Sequence, residues 1–99
     1  MGNLTEQINS DIKKAMLAKE SKKLEALRAI KSALLLLKTE KGGQEEISDE
    51  QEAALLRKLV KQREESAKVY RENNRSAMAE DEEKQVEVIK AYLPEPLTE

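Results

Sequence analysis

The stretch Val60-Lys61-Gln62-Arg63-Glu64-Glu65-Ser66-Ala67-Lys68-Val69-Tyr70 decides how this chain is read. A helix turns about 100° per residue, so Leu59, Val60, Arg63, Ala67 and Tyr70, counted from Leu56, fall within about 50–60° of one direction. That direction is an apolar stripe, and the stretch is one side of an amphipathic helix. Arg63 lies inside the stripe. A guanidinium there needs a partner, because an unpaired buried charge is costly. The remainder is a wet face, on which Glu64 and Lys68 stand at the favoured i, i+4 spacing and Lys61 can meet Glu65.

Working outward, the same periodicity predicts four helices. The first starts near Asn3, with Glu6 at capping-box spacing. Leu4, Ile8, Ile12, Ala15 and Met16 form its apolar line, and it ends near Lys19. The second runs from Ser21 to the stop at Gly42-Gly43. Its apolar residues Leu24, Leu27, Ile30, Leu34, Leu35 and Leu37 cover a wide arc, which predicts the most buried helix. Gly42 to Glu46 reads as an exposed loop. Ser48, with Gln51 three residues on, caps the third helix, which reaches Asn73-Asn74. The fourth starts at Ser76 and is ended by Pro94.

The turn Asn73-Asn74-Arg75 is short, so the third and fourth helices are antiparallel neighbours. Met78, Glu82, Val86, Ile89 and Leu93 make the fourth helix's stripe, with Glu82 in its middle. Each partner helix thus carries one charge in its apolar line, and the two charges are opposite. With the turn as the centre, Arg63 and Glu82 are offset by only about 4–5 Å along the axis. The expectation is a structural ion pair, Arg63–Glu82. The fold class expected is all-α, a four-helix, bundle-like domain.

Composition narrows the chemistry. The 99 residues allow one domain at most, and 38% of them are charged. The apolar 38% includes 13 Leu and 11 Ala, without Phe or Trp, which suits close helix packing. There is no Cys and no His. Disulfides, thiol nucleophiles, imidazole bases and Cys/His zinc sites are therefore excluded. Charge is segregated although the net is only −2: residues 11–43 carry +5, 44–56 carry −5, 57–75 carry +4 and 76–99 carry −5. A bundle built this way presents a basic side and an acidic side, or neutralises the blocks internally. The apolar run Leu34 to Leu37, bounded by Lys31 and Lys38, is far short of the ~20 residues a span needs. The N-terminus has no signal pattern, so the expectation is a soluble, cytoplasmic protein without a membrane partner.

No phosphate-binding loop, hydrolase elbow, dinucleotide fingerprint or metalloprotease helix occurs. No catalytic residue, metal ligand or cofactor is assigned. Clustered acids such as Glu45/Glu46 and Asp81/Glu82/Glu83 read as solvating rather than as a Mg²⁺ site. Arg57, Lys58, Lys61, Lys68, Arg71 and Arg75 are candidate phosphate contacts. No aromatic platform accompanies them, so base stacking is not supported.

The succession Leu27-Arg28-Ala29-Ile30-Lys31-Ser32-Ala33, then Val60-Lys61-Gln62-Arg63 with Ser66 and Tyr70, then Tyr92-Leu93-Pro94 with Leu97, resembles the YqeY family, also called GatB/YqeY-domain proteins. The resemblance covers essentially the whole chain. It implies an all-helical N-terminal domain, residues 1–93, with residues 94–99 opening a linker to a C-terminal helical domain. It also implies a relation to the tail of the B subunit of the tRNA-dependent amidotransferase, a carbon–nitrogen ligase that uses glutamine as amido donor. In that enzyme the related tail contacts tRNA and the chemistry sits elsewhere. The role this resemblance implies is accessory or tRNA-related, within translation. tRNA would be bound through the full-length protein, and no catalytic residues are expected in this domain. The alternative is a non-catalytic helical adaptor for a protein partner. Gln85 departs from the resemblance, standing where the family's second glutamate of an E-x-x-E pair with Glu82 is expected.

Overall fold

Leu, Ala, Glu and Lys dominate the chain, and these residues lose little on entering a helix. The computed structural model describes residues 3–40, 42 and 47–93, apart from the side chain of Asn3. It contains α1 (Asn3–Ala18), α2 (Ser21–Glu40), α3 (Asp49–Glu72) and α4 (Ser76–Lys90). No strand occurs among the described residues, so the fold is all-α as expected. The Asn3 cap, most of the loop after Gly42 and the expected linker at 94–99 lie outside the described residues.

Local chemistry accounts for the boundaries. Ser48 accepts a hydrogen bond from the Gln51 backbone N–H at 3.1 Å, and the Gln51 side chain accepts from the Ser48 N–H at 2.9 Å. This is the capping box read from sequence. The turn after α3 is closed by Arg75 N–H donating to Tyr70 C=O at 2.8 Å and Asn74 N–H to Arg71 C=O at 3.2 Å. That is a Schellman motif. It requires a left-handed residue, and Asn74 supplies it at φ 63°. The end of α1 uses the same motif, with Glu20 N–H on Ala15 C=O and Lys19 N–H on Met16 C=O. There the left-handed position, φ 59°, is held by Lys19, whose Cβ makes it costly.

α2 is the hub. It packs on α1, α3 and α4, whereas α1 packs extensively on α2 alone. The core joins Leu4, Ile8 and Ala15 of α1 to Ala26, Leu27, Ile30 and Leu34 of α2, completed by Leu56, Leu59 and Val60 of α3 and Val86 and Ile89 of α4. Ala26 and Ala79 are fully buried, so the backbones approach closely where they sit. Three apolar residues expected in the stripes face solvent instead: Met16 (54% exposed), Leu35 (54%) and Met78 (42%). Their neighbours Ala15, Leu34 and Ala79 take the core positions. A periodic stripe marks which side is apolar, but its buried width is set by how much of it a partner helix covers.

Candidate nucleic-acid interface

The six candidate phosphate contacts are all exposed, but the structure separates them. Arg57, Lys61 and Lys68 project within about 40° of one another along α3. Lys58 lies about 100° round the helix from Arg57. Arg71 is turned to α4, where its Nε and Nη2 donate to the two carboxylate oxygens of Glu83 at 3.0 and 2.8 Å. This fork holds the Glu83 carboxyl below the usual carboxylate range and the Arg71 guanidinium above its own. Arg75 is the N-cap residue of α4, without a side-chain cap bond. Among the described residues, no hydrogen bond or ion pair engages the side chains of Arg57, Lys58, Lys61, Lys68 or Arg75. The row of free cations is therefore Arg57, Lys61 and Lys68.

Arg63 is half-buried as the stripe requires, but its partner differs from the one expected. Its Nε donates to Gln85 Oε1 at 2.8 Å and its Nη1 to the Leu59 carbonyl at 3.2 Å. Glu82, also half-buried, forms no ion pair with it among the described residues. Register explains this. Counted from Asn74, Arg63 is eleven residues before and Gln85 eleven after, so the two stand level, whereas Glu82 is three residues, about 4–5 Å, out of level along the axis. The ion pairs Arg71–Glu83 and Glu64–Lys90 (3.7 Å) also cross between the two helices. Gln85 also donates from Nε2 to Glu25 Oε1 of α2 at 3.3 Å. An amide accepts from a cation and donates to a carboxylate at once; a glutamate at 85 would meet Glu25 as a like charge. The departure from the expected E-x-x-E pattern therefore has a local cause. Glu64 pairs with Lys90 rather than with Lys68.

Two features were not legible from spacing. The Tyr92 hydroxyl donates to Asp11 Oδ2 across 81 residues, tying the end of α4 to α1. Burial, then this carboxylate, hold the phenol well above its ordinary value of 10.0. Glu52 is half-buried and raised above the usual carboxylate range, first by burial and then by Asp49. Both depend on contacts between distant segments. With Tyr92 engaged and Tyr70 half-buried, neither tyrosine offers an open ring beside the basic row. Among the described residues no group of three or more carboxylates is arranged to hold a metal ion, and no helix is long and apolar enough to cross a membrane.

A family model described as Yqey-like protein matches residues 5–99. The chain belongs to the YqeY family. Among curated proteins this YqeY-family chain is 35% identical over 92 residues to altered inheritance of mitochondria protein 41, mitochondrial, of Clavispora lusitaniae, covering 93% of this chain and 52% of that protein. It is 33% identical over 86 residues to the protein of the same name from Lachancea thermotolerans, covering 87% of this chain and 46% of the relative. The YqeY chain thus spans about half the length of the curated relatives it matches. Both are named as mitochondrial, which overturns the cytoplasmic setting expected from sequence. That expectation rested on seeing neither signal pattern nor span, and neither observation separates one aqueous compartment from another.

Proposed function

We propose that this domain is a non-catalytic, phosphate-contacting module of a YqeY-family protein, acting as an accessory to tRNA-dependent amidation, the carbon–nitrogen ligation with glutamine as donor. The observation that carries the reading is the contrast between two sets of cations. Lys22, Arg71 and Lys90 are tied to Asp81, Glu83 and Glu64, whereas Arg57, Lys61 and Lys68 stand in one exposed row without partners among the described residues. Solvated cations at helical spacing suit a phosphate backbone. The absence of an open aromatic beside them favours backbone contact over base stacking. The relatives' names point to the mitochondrion as the compartment.

The test is a titration of the full-length protein with tRNA across salt concentrations. The expected result is log affinity falling steeply with log salt, because each contact releases counterions. Replacing Arg57, Lys61 and Lys68 by Glu weakens binding and flattens that slope. Salt-independent binding, or none, overturns the reading. A second reading, a helical adaptor for a protein partner, is favoured by Leu35 and Leu36, which expose 54% and 61% of their surface on α2.

A further inference from the structure

From Ala26 to Thr39, α2 carries three cations, Arg28, Lys31 and Lys38, and no carboxylate. These three and Leu35 fall within about 80° of one another, with the neutral Ser32 and Thr39 beside them. Leu35 and the adjacent Leu36 are open, at 54% and 61% exposure. None of the three cations has a side-chain partner among the described residues. Beside Leu35 is a slot of about 70 Å³ between α1 and α2. Its lining is Thr5, Ile8, Leu34, Leu35 and Ile47 together with Lys31 and Lys38, and it holds no carboxylate. Lys31 is half-buried, as a lysine is whose methylene stem lies along an apolar wall. Two other clefts differ in sign. The α3–α4 groove sets Glu64, Glu72 and Glu83 beside Lys68 and Arg71, and the cleft by Tyr92 holds Asp49 and Glu52. On α1 and α2 the carboxylates nearest the slot in sequence, Glu6 and Glu40, project about 100° from Thr5 and about 140° from Leu35. Glu25 is taken up by Gln85.

We propose that this slot docks an acidic amphipathic helix of a partner protein, with one aliphatic side chain filling it and carboxylates one turn to either side meeting Lys31 and Lys38. The proposal rests on the adaptor reading and gives that partner its chemistry. Lys31 and Lys38 are about 10.5 Å apart along the axis, the spacing of side chains seven residues apart on any helix. An apolar slot between two like charges on an acid-free face selects an occupant apolar at its centre and acidic at its flanks. A phosphate backbone has no apolar group to cover Leu35. An acyl chain exceeds a space that holds one side chain. A second copy offers no unbroken acidic face, since Lys61 and Lys68 stand among the carboxylates of α3 and Lys84 among those of α4.

Fluorescence anisotropy and methyl NMR on the intact chain test this with three synthetic helical peptides. The first has a central Leu with Glu four residues before and three after; the second has that Leu changed to Ser; the third has both Glu changed to Lys. The expected result is that the first binds at low salt and shifts the Leu34 and Leu35 methyl signals, while the others bind about tenfold or more weakly. Lys31→Glu with Lys38→Glu rejects the first peptide and accepts the third, with an unchanged thermal midpoint. Should that variant unfold, the peptide series on the wild-type chain still decides. Equal affinity for the first and third peptides overturns the proposal, as does binding that leaves Leu34 and Leu35 unshifted. Tighter binding of phosphatidylglycerol vesicles, or self-association through the same residues in sedimentation velocity, overturns it in favour of those occupants. A preference for the lysine peptide at the slot overturns the acidic partner and leaves the adaptor reading standing. No shift at Leu35 or Leu36 with any peptide overturns both. Arg57, Lys61 and Lys68 are untouched, so tRNA binding is measured independently.

Discussion

The α3–α4 hairpin and the α1 helix are held by different means. The hairpin has a continuous apolar seam through Leu59, Ala67, Val86 and Ile89. It is clasped along its length by Arg71–Glu83, Arg63–Gln85 and Glu64–Lys90. α1 rests on α2 with three core residues, Leu4, Ile8 and Ala15, and leaves Met16 and Leu17 in water. Among the described residues, the hydrogen bond that joins it to the end of α4 runs from the Tyr92 hydroxyl to Asp11. Few buried contacts mean a low free energy of local opening. α1 is therefore the part of the domain that detaches first, and the hairpin is what global unfolding must break.

The largest effect that tests this contrast comes from emptying a fully buried site on each side. Ile89→Ala costs about 3 kcal/mol of global stability in denaturant unfolding. Ile8→Ala, equally buried, costs less in that assay and appears instead as faster hydrogen exchange confined to α1. Equal global costs would erase the distinction.

Next in size is Tyr92→Phe, which removes the bond to Asp11 and costs about 1.5 kcal/mol, read as lost exchange protection in α1 while α3 is unchanged. The same bond gives a pH dependence. Because the folded phenol is held above its ordinary 10.0, the folded state keeps the proton that the unfolded state releases. The contribution is full below that ordinary value and is lost as pH rises beyond it. Unfolding of the wild-type chain should show alkaline destabilisation that Tyr92→Phe lacks.

A double-mutant cycle sharpens the hairpin side. Arg63→Met and Gln85→Leu should be coupled by about 1 kcal/mol, whereas Arg63→Met and Glu82→Leu should add. Coupling to Glu82 instead would restore the ion pair expected from sequence and displace the level pairing of Arg63 with Gln85. The smallest effect has the opposite sign. Lys19→Gly relieves a left-handed lysine at the end of α1 and stabilises by about 0.5–1 kcal/mol, seen as a raised thermal midpoint. No gain, or a loss, would show that the Lys19 backbone is not strained.

Local information lies along the chain and was legible there. The four helices, the Ser48–Gln51 cap, the Asn74 turn and the half-buried Arg63 follow from periodicity and from groups within a few residues of one another. Composition alone removed thiol, imidazole and Cys/His metal chemistry. Tertiary structure decided what depends on register and coverage. It turned Arg63 to Gln85 rather than Glu82, put Met16, Leu35 and Met78 into water, and joined Tyr92 to Asp11. It also separated Arg71, held by Glu83, from Arg57, Lys61 and Lys68, which stand free among the described residues. Helical spacing states which side of a helix a residue occupies. Which residue of another helix stands opposite is set by how two surfaces interlock, and a shift of about one turn there, roughly 5 Å, replaces one partner with the next.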